Sequence, residues 1–150
     1  MDFILIPPAI VVYVNSLGGN KGGITNGPVV RIVEKYRSDV GIRMHELEHV
    51  KQWWLSGILM SGQAILLATL FNMQAYLLPM LIPLAWSVSS VLYLLFKPYR
   101  QWAELQAYAV QLQYSTDKTG DARLFGLFIS QDYGLSITAK EATEKLKALS

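Results

Sequence analysis

Cysteine is absent from this chain, which removes disulfides, thiolate zinc sites and cysteine nucleophiles together. Histidine is scarce, with only two, His45 and His49. Charge is scarce as well. Asp, Glu, Lys and Arg make up 16% of the residues, where soluble domains carry roughly 25%. The shortage is local, because residues 52–96 contain no charged side chain at all. A net charge of +2, with no basic stripe interleaved with aromatics, excludes nucleic acid as an expected partner. The apolar run at residues 3–17 lacks a positive region before it and is interrupted by Pro7 and Pro8. It reads as chain leading into a strand rather than as a cleaved signal.

What remains is enough for one domain of 150 residues. Residues 9–14 form a β-branched run of strand length, and residues 28–36 form a second with charges mixed in. Between them, residues 15–27 are rich in Gly and Asn and read as a flexible loop, so the pair suggests a hairpin with a long tip. Ser38 and Asp39 offer a helix N-cap before a helix from Gly41 through Trp54. A further helix is expected over residues 99–114, then a loop with Asp117, Gly120 and Asp121, then an apolar patch at 124–129. Thr138 with Glu141 three residues on forms a capping box for a last helix with alternating charge.

The chemistry concentrates in His45-Glu46-Leu47-Glu48-His49, an HExxH sequence. On a helix, positions four apart lie about 40° apart around the axis, so both imidazoles reach one point. That point suits a tetrahedral Zn²⁺. Glu46 projects beside the metal, where it can take a proton from a water that zinc has acidified. A catalytic zinc usually has three protein ligands. With no third histidine, the third must be a carboxylate, from Glu104, Asp117, Asp121, Asp132, Glu141 or Glu144. Glu104 stands out because its helix surrounds it with apolar, aromatic and alanine neighbours, where an unpaired carboxylate is costly. The plainer reading of Glu104 is a boundary residue paired with Arg100 one turn earlier.

A helix with HExxH followed well downstream by Glu104-Leu105-Gln106-Ala107 resembles the gluzincin metallopeptidases, over roughly residues 28–114. The apolar insert resembles their membrane-embedded branch, the CAAX-prenyl-protease type and its bacterial heat-shock relatives. The chain has Tyr108 where that branch usually has Asp, and it lacks the branch's N-terminal spans and later histidine. Minimal proteins with HExxHxxQ then Glu-x-x-Ala match equally well, with Gln52 in the final position. The resemblance implies an α+β, zincin-like fold: a small antiparallel sheet, the HExxH helix, an apolar hairpin, the glutamate helix and a C-terminal helix. It implies that the strand before the catalytic helix (Val29, Val30, Arg31, Ile32) binds an extended protein or peptide substrate along its edge. The oxyanion beside zinc also needs a donor. Tyr108, one turn after Glu104, is the first choice, with Tyr114, Tyr133 and Arg100 as rivals.

Residues 53–96 then form an inserted hydrophobic hairpin within a single domain, 1–150. Residues 56–76 and 77–96 are each about the length of one membrane span, with Pro79 and Pro83 near the turn. Trp53, Trp54, Tyr99 and Trp102 stand at the ends as an aromatic belt would, and Lys51, Lys97 and Arg100 flank one side. A membrane protein with its active site on the cytoplasmic face is expected; the alternative is a soluble cytoplasmic protein that buries the hairpin against its other helices or in a dimer. The functional expectation is zinc-dependent peptide-bond hydrolysis. Its rivals are a zinc-stabilised membrane adaptor without turnover and a pore-forming hairpin protein.

Overall fold

The computed structural model describes residues 8–19, 21–72 and 77–150. The start of the N-terminal apolar run and the centre of the hairpin turn, with Gln74 and Tyr76, lie outside the described residues. The architecture is α+β. Strands β1 (Ile10–Val14), β2 (Gly23–Asn26) and β3 (Val29–Val33) precede helices α1 (Val40–Leu70), α2 (Leu78–Leu95), α3 (Lys97–Gln113), α4 (Lys118–Asp132) and α5 (Ala139–Leu149).

The sheet is mixed rather than antiparallel, with order β1-β3-β2. The β-branched runs at 9–14 and 28–36 do not pair as a hairpin: β1 runs parallel to β3, Val12 beside Arg31. The hairpin is instead β2 with β3, Asn26 opposite Val29 across a two-residue turn. Gly27 makes that turn at φ 59°, a left-handed conformation that suits glycine. So part of the expected loop at 15–27 is a strand, and β3 inserts between β1 and β2. Composition announces a strand without naming its neighbour, which is why the pairing had to be corrected.

Asp39 caps α1 by accepting a hydrogen bond from the Ile42 amide at 2.9 Å. From there α1 runs unbroken for 31 residues, about 47 Å at 1.5 Å per residue. The expected catalytic helix and first apolar helix are therefore one rod. Nothing between Trp54 and Gly57 prevents helix from continuing. α2 runs beside α1, its Trp86 ring resting on Gly57 so closely that a Cβ there would lie 2.6 Å from the indole. Trp53, Trp54 and Trp86 form an edge-to-face cluster with centroids 4.6–5.3 Å apart. α1 and α2 are both long and apolar enough to cross a membrane, and only 11% of each apolar window is buried. Residues such as Leu59, Leu66, Leu70, Met80 and Leu84 are exposed. The rest of the chain, among the described residues, does not cover the hairpin.

Two apolar cores hold the remainder. Val30 and Ile32 of the sheet pack on Leu47 and Val50 of α1. Leu105 and Leu112 of α3 join Phe125 and Ile129 of α4 and Ala142 and Leu146 of α5. The patch at 124–129 thus belongs to a full helix, not a loop margin. The capping box of Thr138 and Glu141 forms as expected. Gly126 lets α4 meet α5 closely, since a Cβ there would lie 2.8 Å from the Ala139 carbonyl oxygen and closer still to the Thr143 hydroxyl. Gly126→Leu should therefore destabilise the chain by about 1–3 kcal/mol, measured as a lower midpoint of thermal unfolding; an unchanged midpoint would mean that this helix contact is loose.

Candidate metal centre

The site forms where the first turns of α1, the middle of α3, the end of α2 and the edge of the sheet converge. His45 and His49 lie on one face of α1 with ring centroids 5.0 Å apart. Glu104 comes from α3 and is 1% exposed. Its Oε2 lies 3.7 Å from His45 Nε2 and its Oε1 lies 3.5 Å from His49 Nε2. These distances are too long for hydrogen bonds. They are close to the edge of a zinc tetrahedron, about 3.3–3.4 Å for ligand distances of ~2.0–2.1 Å. A donor atom from each of the three residues lies within 4.8 Å of the others. Glu104 Oε2 is buried without a hydrogen-bond partner among the described residues. The donor set, two imidazoles and a carboxylate, and the orphaned oxygen both fit a divalent metal such as zinc.

α3 can bring a carboxylate this near because Ala103 and Ala107, which flank it, are 1% and 0% exposed and have no bulk. At the start of α1, Gly41 meets Gln111 of α3 in the same way. The expected pairing of Glu104 with Arg100 does not form. The Arg100 guanidinium donates instead to the carbonyls of Tyr93, Leu94 and Tyr133, tying the ends of α2 and α4 together. Arg100 is thereby also removed as an oxyanion donor. Burial pushes the Glu104 carboxyl up, but the two imidazoles and a phenol hold it below the usual range, so it is charged at neutral pH.

Glu46 is buried beside the ligand residues, its carboxylate against β2. The Thr25 hydroxyl donates to its Oε2 at 2.7 Å, and the Glu46 carbonyl oxygen is a second acceptor within reach at 3.0 Å. Gly23 leaves the room that this carboxylate occupies, since a Cβ there would lie 2.5 Å from Oε1. Neither residue was foreseen, because both sit in the stretch that reads as loop. The Asn26-Gly27 turn signal was the clue to β2.

Of the expected tyrosines, Tyr108 and Tyr133 lie together beside the histidines and Tyr114 does not. Tyr108 is buried with its ring 4.4 Å from that of His45. Its hydroxyl pairs with that of Tyr133 at 3.1 Å. Burial raises both phenols well above their ordinary range, so both remain protonated donors. Tyr114 ends α3 half-exposed. Tyr93 of α2 donates to Glu104 Oε1, a contact hidden from sequence reading by the apolar run around it.

The segment Val29, Val30, Arg31 and Ile32 is not an edge. β3 is paired on both sides, and Val30 and Ile32 are fully buried. The strand whose free side lies by Glu46 is β2, which among the described residues pairs with β3 alone. Comparison with protein-family models, with curated proteins and with solved structures gives no match for this chain.

The geometry leads to a direct measurement. The purified protein should bind about one zinc per chain, and Glu104→Ala should weaken binding by at least tenfold, as His45→Ala should. Full zinc affinity in Glu104→Ala, with loss in an Asp121 or Asp132 variant, would place the third ligand elsewhere. Affinity should fall as pH drops, because protons compete with the metal for both imidazoles.

Proposed function

We propose that this protein is a zinc-dependent peptidase of the gluzincin type with a zincin-like core, carried by a membrane hairpin. The observation that supports this is Glu104 lying 3.5 Å and 3.7 Å from the His49 and His45 Nε2 atoms, with a separate carboxylate, Glu46, beside them. Zn²⁺ bound there would supply Lewis acidity, lowering the pKa of a coordinated water toward ~7 and polarising the scissile carbonyl. Glu46 takes the proton from the attacking water and returns it to the leaving amine. Thr25 orients that carboxylate from β2. Tyr108 and Tyr133 offer phenolic donors for the carbonyl oxygen as it gains charge. An extended peptide would lie along the free edge of β2, where backbone pairing demands no particular sequence.

The membrane reading rests on the uncovered apolar surface of α1 and α2. Two crossings would place Lys51, Lys97 and the metal centre on one side, the cytoplasmic side by the positive-inside rule. A soluble form would have to cover the same surface with a second copy. The protein should accordingly require detergent or lipid for solubility. Monomeric behaviour in plain buffer would sink the membrane assignment and leave the peptidase assignment standing.

Glu46→Gln should keep zinc and fold but lose about 10²–10⁴ of the peptidase rate. The amide fills the same space and can still accept from Thr25, yet it cannot accept the water's proton. Casein or a quenched peptide library would serve as substrate, with zinc measured on the same samples. Equal activity in both proteins would point to a contaminant or another base. Zinc without activity in either, across varied substrates, would favour the adaptor.

A further inference from the structure

Gln52 is the one polar residue of α1 beyond the HExxH turn that is buried among the described residues. An amide at that depth is costly unless both its ends are engaged. Both are. Its Nε2 donates to the Ala103 carbonyl oxygen of α3 at 3.2 Å, and its Oε1 lies 3.1 Å from His49 Nδ1. The first contact decides the second. A carbonyl can only accept, so the NH₂ end of the amide must face Ala103, and the oxygen must face His49. An oxygen can only accept in turn, so His49 Nδ1 carries the proton. In the neutral ring that leaves Nε2, 3.5 Å from Glu104 Oε1, with the lone pair a metal would take. The anchor on α3 is the residue immediately before Glu104, so one side chain connects the second and third ligands of the site.

We infer that Gln52 is a positioning residue that sets the His49 tautomer for metal binding and locks His49 to the helix turn carrying Glu104. This rests on the metal-site reading and goes beyond it. His45 differs, because its Nδ1 makes no hydrogen bond of that quality among the described residues, although the Gln111 amide lies near it. Hydrogen-bond partners of metal-binding imidazoles typically contribute about 10–100-fold to metal affinity.

The test combines zinc affinity with the tautomer itself. Long-range ¹H–¹⁵N correlation spectra of the zinc-loaded wild type should show His49 protonated at Nδ1 and metal-bound through Nε2. Gln52→Leu, close in volume but without polar atoms, should bind zinc 10–100-fold more weakly and broaden or shift the His49 signals while leaving those of His45 in place. Gln52→Glu keeps an acceptor for Nδ1–H and should restore the wild-type His49 signals and most of the affinity. A purely structural role would predict no rescue of the tautomer by Glu. Equal zinc affinity in wild type and Gln52→Leu overturns the inference, as does Nδ1 coordination by His49 in the wild type, which is read without any variant. Wild type that binds no zinc overturns the metal-site reading instead, so the two failures are distinguishable.

Discussion

The structure turns on one buried carboxylate. Glu104 is charged, almost wholly removed from solvent, and set between two imidazoles. Taking a carboxylate out of water costs several kcal/mol even after relaxation, so the surroundings must compensate or the helices would part. Tyr93 donates to one oxygen and the imidazoles approach both, yet Oε2 still lacks a hydrogen bond among the described residues. The unmet acceptor is the physical reason to place a cation there. It also explains the small residues nearby, since Ala103, Ala107 and Gly41 are what allow α1 and α3 to come close enough.

The elements around this centre each hand it something different. β2 contributes Thr25 and the space left by Gly23, which together fix the position of the Glu46 carboxylate. α2 contributes Tyr93 from its last turn, and Arg100 binds the carbonyls of that same turn. The apolar hairpin is therefore mechanically continuous with the site. Its first arm is the helix that carries the histidines, and its second arm ends on the glutamate.

A rod of about 47 Å, capped by Asp39 at one end and uncovered at the other, fixes the height of His45 and His49 relative to whatever covers the apolar surface. The Trp53, Trp54 and Trp86 cluster sits between the two regions. Indoles suit such a boundary because their bulk is apolar and their N–H needs a polar partner. Trp54 finds one in the Pro8 carbonyl oxygen at 3.0 Å, which also ties the approach to β1 onto α1.

Local pattern determined much of this on its own. Helical spacing alone brings His45 and His49 together, the Asp39 and Thr138 caps follow from side-chain chemistry, and residues 52–96 declare their apolar character by composition. Glu104 was legible too, because a lone carboxylate in an alanine-rich, apolar helix has few other reasons to be there. What sequence could not decide was partnership. Strand pairing in β1-β3-β2 order, the merging of two expected helices into α1, the role of Tyr93 and Thr25, and the diversion of Arg100 to backbone carbonyls all depend on residues distant in the chain. Propensity and periodicity act over one or two turns, whereas these choices are set by which surfaces pack, and the energy that decides them exists only once the chain has folded.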